Sequence, residues 1–118
     1  MAIIANIFID QGADFSITVD VSDANGNQLN LTGYTASAQI RKTYNSSDSD
    51  AVTFSSQVES PADEGIVNLT LTNSQTSAMK SGRYVYDVEI SFVDSAANTI
   101  VERILEGQVT VSPSVTRT

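Results

Sequence analysis

The sequence predicts an all-β fold, an antiparallel Greek-key sandwich of seven to eight strands with one short helical turn, built as a single domain over residues 1–118. Three observations carry that prediction. Apolar residues recur with a period of two along most of the chain, as they do in strands with one buried face. Turn-forming residues interrupt this alternation at spacings of about ten residues, the rhythm of an all-β sandwich. Gly82-Arg83-Tyr84 leads directly into the longest alternation, Tyr84, Tyr86, Val88, Ile90 and Phe92. An OB-type barrel is the rival architecture, but it has fewer strands and a basic, aromatic face, which this chain lacks.

Taken in order, Ile3 to Ile9 is a β-branched run suited to a first strand at a sheet edge, and Gln11-Gly12-Ala13 breaks it. Phe15, Ile17, Val19 and Val21 alternate with Ser16, Thr18, Asp20 and Ser22, giving one apolar and one wet face. Asp23-Ala24-Asn25-Gly26 reads as a turn, because Asn-Gly adopts positive φ at low cost. Leu29 and Leu31 form a short strand or an apolar anchor. Tyr34 to Tyr44 alternates through Ala36, Ala38 and Ile40, and the small inward residues predict close approach of the facing sheet. Asn45 to Asp50 is a hydrophilic loop, expected to be mobile. A weaker strand from Val52 to Val58 leads into Pro61-Ala62-Asp63-Glu64-Gly65, and Val67, Leu69 and Leu71 mark a core strand.

Between Thr72 and Ser81 the period changes. Asn73 or Ser74 is expected to cap one or two helical turns with Ala78 and Met79 facing inward, and Gly82 to close the end with positive φ. Tyr84 to Phe92 is the expected central strand, followed by a turn at Asp94 to Asn98. Ile100 to Leu105 and Val109 to Val111 form the last strand or strands, with Gly107 at an inward position or in a bulge. Pro113 ends the sheet and Ser114 to Thr118 is a polar tail. The expected core comprises Val19, Ile40, Leu69, Leu71, Tyr84, Tyr86, Val88 and Ile90.

The chain has no cysteine and no histidine, which removes the commonest nucleophile–base pairs, thiolate zinc sites, disulfides and any Ser-His-Asp triad. Neither Lys42 nor Lys80 stands in a context that suggests a lysine nucleophile. Fourteen acidic residues against six basic ones give a formal charge of −8, and the cations, Arg41, Lys42, Lys80, Arg83, Arg103 and Arg117, are scattered. Such a chain repels phosphate backbones, so no nucleic-acid partner is expected. No apolar run approaches the roughly 18 residues of a membrane span, and the start lacks a basic segment and a cleavage site. The expectation is a soluble protein made in a cytoplasm, with no membrane partner. Sequons at Asn30, Asn45 and Asn68 read as chance matches in a chain rich in Ser, Thr and Asn.

Asp87 and Glu89 share a strand face, either as a carboxylate pair or, as expected, as a salt-bridged face beside Arg41, Arg83 or Arg103. Asp48 with Asp50, or Asp63 with Glu64, offer oxygens for calcium, but neither pair has the spacing of a calcium loop. No catalytic, cofactor-binding or metal residue is assigned, and no cofactor is expected. Tyr84 has a structural role instead. In immunoglobulin-type domains a tyrosine at the start of the strand after the E–F corner hydrogen-bonds to upstream backbone, and a disulfide cysteine follows two residues later. Here that later position is Tyr86, so the corner is kept without the disulfide, and the expected sandwich is immunoglobulin-like.

An ordered set of segments adds to this reading: Leu31-Thr32-Gly33-Tyr34-Thr35-Ala36 with Gln39-Ile40-Arg41, Leu69-Thr70-Leu71-Thr72 with Gln75-Thr76, Gly82-Arg83-Tyr84-Val85-Tyr86-Asp87-Val88, and Arg103-Ile104-Leu105-Glu106-Gly107 through Val111-Ser112-Pro113 and Val115-Thr116-Arg117. From Phe15 to Arg117 the chain resembles small immunoglobulin-like virion structural proteins of tailed bacteriophages, and is similar to the N-terminal module of baseplate upper proteins. The resemblance implies a non-enzymatic module in multiple copies per particle, bound to other virion proteins of the tail, baseplate, fibre, neck or capsid. Its location would be the virion, after synthesis in the bacterial host cytoplasm. No fibre or receptor-binding domain follows Arg117, so a docking, collar or decoration subunit is expected over a complete adhesin. The alternatives are a capsid decoration protein and a carbohydrate- or cell-surface-binding module. The latter would call for clustered exposed aromatics, whereas Tyr34, Tyr44, Tyr84 and Tyr86 all lie in or beside strand patterns. The apolar edge Ile3 to Ile9 and the tail after Pro113 are the expected contacts.

Overall fold

The computed structural model describes residues 3–22, 25–45 and 51–115. Its larger sheet comprises β1 (Ile3–Ile4) and β2 (Ile7–Asp10), both on β9 (Thr99–Ser112), then β8 (Gly82–Val93), β4 (Thr35–Arg41) and β5 (Val52–Thr53). The smaller sheet runs β3 (Phe15–Asp20), β7 (Ile66–Leu71), β6 (Ser55–Val58). The longer strands contribute alternate residues to the space between the sheets. Val67, Leu69 and Leu71 of the smaller sheet face Ala38, Ile40, Tyr86, Val88, Ile90, Val109 and Val111 of the larger, and all are buried. This is the immunoglobulin-like sandwich that the alternation predicts, closed by apolar packing alone.

Two expected core residues are only half-buried. Val19 lies on β3, an edge strand of the smaller sheet, and Tyr84 stands at the corner with its hydroxyl towards solvent. Leu31 is a buried anchor rather than part of a strand, and its carbonyl accepts the amide of Tyr34 at 2.9 Å. Of the turn expected at Asp23-Ala24-Asn25-Gly26, Asp23 and Ala24 lie outside the described residues, while Gly26 has φ of +84°. Residues 46–50 of the polar loop and 116–118 of the tail also lie outside them.

The expected strand from Val52 to Val58 is divided between the sheets. Val52–Thr53 pairs with β4, Ser55–Val58 pairs with β7, and buried Phe54 marks the crossing, its amide donating to Ala38 O at 3.0 Å. The helix α1 (Asn73–Ser77) is capped one residue earlier than expected, by Thr72. Its hydroxyl accepts the Gln75 amide at 3.2 Å while the Gln75 side chain accepts the Thr72 amide at 2.9 Å. This capping box satisfies two amides that an Asn73 or Ser74 cap would leave open. Met79 is buried as expected, but Ala78 is exposed and the inward helical residue is Thr76. Its hydroxyl donates to Ala13 O at 2.9 Å and accepts from the Gly12 amide at 3.1 Å. Gly82 has a positive φ, +137°, as expected, but it opens β8 and does not close the helix, which ends at Ala78 with φ of −78°.

The N-terminal strand departs most from expectation. It runs parallel to β9 and in two pieces, Ile3–Ile4 opposite Leu105–Glu106 and Ile7–Asp10 opposite Val109–Ser112. The break at Ala5 and Asn6 faces Gly107. A Cβ on Gly107 would lie 2.0 Å from Ala5 O, so the glycine is there to let the first strand pass and makes no bulge. The bulge of β9 lies nearer the hairpin: Leu105 pairs with Val88 and Arg103 with Glu89, which leaves Ile104 as the extra residue.

Candidate interaction surface

Three hydrogen bonds around the break at Ala5 and Asn6 add to the parallel pairing of the first strand with β9. The Ala5 amide donates to Glu106 O at 2.9 Å, the Tyr86 hydroxyl donates to Ala5 O at 2.7 Å, and the Gln108 amide donates to Asn6 Oδ1 at 3.1 Å. Tyr86 is buried, and burial raises its phenol above the ordinary value of 10.0. With the strand so held, alternation sorts its side chains. Ile7 packs against the core and Ile9 is fully buried, while Ile4 is 75% and Phe8 72% exposed on the outer face of the larger sheet. Ile3 is exposed as well. The apolar edge expected over Ile3 to Ile9 is therefore narrower, since Ile7 and Ile9 belong to the core.

The centre of the same outer face is polar. Arg103 Nε lies 3.3 Å from Asp87 Oδ2 and its Nη1 3.3 Å from Glu106 Oε2. The Glu106 hydrogen bond, then the Asp87 charge, raise the already high pKa of this guanidinium. Arg41 donates to Gln39 Oε1 at 3.0 Å, and Gln39 donates to Thr53 Oγ1 at 3.3 Å. Gln39, Arg41, Asp87 and Arg103, with Glu89 and Tyr44, line an open groove of about 310 Å³. Tyr44 is 81% exposed, so it projects from the surface beyond the end of β4, where the sequence pattern had placed it beside a strand.

Each end of the sandwich carries a further feature. At the corner, the Tyr84 hydroxyl donates to Lys80 O at 2.6 Å, and Lys42 Nζ stands 4.7 Å from the Tyr84 ring centroid. This is the tyrosine corner expected from Gly82-Arg83-Tyr84, and beside it lies a groove of about 440 Å³ whose lining includes Lys42, Val52, Gln75, Met79, Lys80 and Tyr84. At the opposite end, the hairpin joining β8 to β9 turns on Asp94, whose Oδ1 accepts the amides of Ala96 and Asn98, both at 2.9 Å. Val93 is 65% and Val101 56% exposed there, beside half-exposed Ile100. Sequence reasoning missed this tip. The signal was present in Ile100-Val101, two adjacent apolar residues of one strand that cannot both face inward.

Of the acidic candidates, Asp87 joins Arg103 in the ion pair and makes no carboxylate dyad with Glu89. Asp63 and Glu64 are exposed on the 3-10 turn Ala62–Glu64. Asp48 and Asp50 lie outside the described residues. Among the described residues, no three His, Cys, Asp or Glu side chains are grouped so as to hold a metal ion. No helix among them is long and apolar enough to cross a membrane. At the first sequon, Asn30 Oδ1 is occupied by the Thr32 amide at 3.0 Å and the Thr32 hydroxyl at 2.7 Å.

No protein-family model matches the chain, and no curated protein matches it significantly. Among solved structures it is similar to murine CRIg, with a TM-score of 0.50 and 15% identity, over 91% of this chain and 92% of that one. Looser superpositions are found with PcoC, a copper resistance protein from Escherichia coli, at a TM-score of 0.44, 16% identity and 91% and 89% coverage. Another is with AggA, the major subunit of aggregative adherence fimbriae type I from Escherichia coli, at 0.38, 10% identity and 91% and 89% coverage. The last two are too loose to carry an argument; the first shows the immunoglobulin-like fold of this chain.

Proposed function

We propose that the protein is a non-enzymatic structural protein of a bacteriophage virion, a docking or decoration module bound to other virion proteins at the tail, baseplate, fibre, neck or capsid. The observation that carries the docking reading is the first strand, held rigidly by Tyr86 and Asn6 while Ile4 and Phe8 project from it into solvent. Exposed apolar residues on a sheet edge invite association, and rigid placement lowers its entropic cost. The virion setting is supported by the ordered resemblance from Phe15 to Arg117, and the non-enzymatic reading by a chain with no histidine or cysteine.

The test replaces Ile4→Ser and Phe8→Ser together and measures copy number by mass spectrometry of purified particles. Deleting residues 1–9 would not serve, because it removes fully buried Ile9 from the core. The double variant should keep its melting temperature within a few degrees and enter particles at a small fraction of the normal number. Normal incorporation would overturn the edge as the docking element, and absence of the wild-type chain from particles would overturn the virion reading. Imaging a labelled chain on the particle separates tail from capsid. One observation favours the alternative of a carbohydrate- or cell-surface-binding module: exposed Tyr44 flanks a groove carrying both donors and carboxylates. Tyr44→Ala should then abolish binding to host-surface glycans while leaving incorporation unchanged.

A further inference from the structure

The two ends of the sandwich differ in charge as well as in shape. Where β8 begins, the groove offers Val52, Met79 and Tyr84 with Lys42 and Lys80 beside them. Where β8 stops, the hairpin tip carries Val93, Ile100 and Val101 into solvent, with Asp94 and Glu102 next to them in the chain. The strand pairings place Asp20, Glu59, Asp63 and Glu64 at that same end, where the ring of Tyr34, just before β4, lies 4.8 Å from that of Phe92 on the neighbouring β8. Among the described residues of 20–34, 58–66 and 91–102 there are six carboxylates and no Lys or Arg. Among the described residues at the groove end the acids are Asp10 and Asp14, and Asp14 is already engaged by the amide and side chain of Asn73 at 2.7 and 3.1 Å. β8 has 12 residues. At about 3.3 Å per residue it alone separates tip from groove by roughly 40 Å, along a molecule whose longest extent is 49 Å.

Surfaces so far apart cannot meet within one chain, but they complement each other between chains. We propose that the protein associates head to tail with a second copy of itself, the apolar hairpin tip of one copy entering the Lys42–Lys80 groove of the next. Contact between Val93, Ile100 and Val101 and the apolar part of the groove removes both from water. Asp94 and Glu102 opposite Lys42 and Lys80 set the direction, since tip against tip or groove against groove would oppose like charges. The contact is heterologous, so repetition closes a ring or continues as a filament according to the rotation between copies. It goes beyond the virion reading by naming one partner, and its test needs no particle.

Sedimentation velocity of the purified chain over a range of concentrations tests it, at low ionic strength and again in about 1 M salt, where the Debye length falls to about 3 Å. The sedimentation coefficient should rise with concentration at low salt and return towards the monomer value in high salt. Two double variants, Lys42→Glu with Lys80→Glu and Val101→Lys with Glu102→Lys, should each sediment as monomers. Mixing them should restore association, because one retains the native tip and the other the native groove; a variant that had merely failed to fold would not be rescued in this way. A wild-type chain that stays monomeric throughout, association unaffected by either variant, or a mixture that stays monomeric would each overturn the proposal. None of these outcomes bears on incorporation into particles, which the Ile4 and Phe8 variant reads separately.

Discussion

Gly107 and Tyr84 show two ways in which one residue decides local structure. Tyr84→Phe removes the 2.6 Å hydrogen bond to Lys80 O and keeps the ring under Lys42. It should cost about 1 kcal/mol in urea denaturation with an unchanged m-value. A cost near zero would show that water replaces the carbonyl partner without loss. Gly107→Ala introduces a methyl where Ala5 O now lies. The first strand must move, so the expected loss is about 1–3 kcal/mol, with faster hydrogen exchange at the Ala5 and Gln108 amides. Unchanged exchange at both would mean that the clash is relieved elsewhere. Tyr84 was legible in the sequence because its role depends on neighbours within a few residues. The role of Gly107 was not, because its partner, Ala5, lies about a hundred positions away and no local pattern encodes a crossing of strands.

At the level of elements, alternation identified the strands and failed at their joints. Val67 to Leu71 and Tyr84 to Phe92 were legible because every second residue is apolar and the opposite face, Val85 apart, is polar. The division of Val52 to Val58 between the sheets was not, since Phe54 is simply another apolar residue until one knows that it turns the chain across the core. The parallel pairing of the first strand was hidden for a related reason: its partner β9 is the last strand, and pairing partners are not written in periodicity. The interaction surface was legible only in part, because Ile3 to Ile9 reads as one apolar edge until pairing turns Ile7 and Ile9 inward. The helix cap was legible in principle, as Thr72-Asn73-Ser74-Gln75 fits the capping-box spacing. Thr72→Ala removes the acceptor for the Gln75 amide and should cost about 0.5–2 kcal/mol. Because α1 holds the β2–β3 turn through Thr76, the same variant should increase hydrogen exchange at the Gly12 amide. Protection at Gly12 equal to wild type would separate the cap from the turn.

For the whole molecule, stability rests on the contact between the sheets and on the closure of that contact by the first strand. Leu69 and Ile90 are buried on opposite sheets, so truncating either to alanine should cost about 2–5 kcal/mol. A loss below 1 kcal/mol for both would mean that the faces are reversed. Tyr86 links both aspects, with its ring in the core and its hydroxyl on Ala5 O. Burial raises its pKa above 10.0, so the native state keeps the phenolic proton at a pH where the unfolded chain has lost it. The unfolded state then binds fewer protons, and the contribution is complete below pH 10 and lost as pH rises through the raised native value. Ionisation also removes the donor that holds Ala5, so the first strand should loosen over the same interval. Tyr86→Phe should therefore be less stable than wild type near neutral pH, by about 1 kcal/mol for the lost hydrogen bond, yet lose stability less steeply above pH 10. Denaturation midpoints measured from pH 7 to pH 11 should converge for the two proteins, and midpoints that fall in parallel would show that Tyr86 is not the group that couples alkaline pH to unfolding.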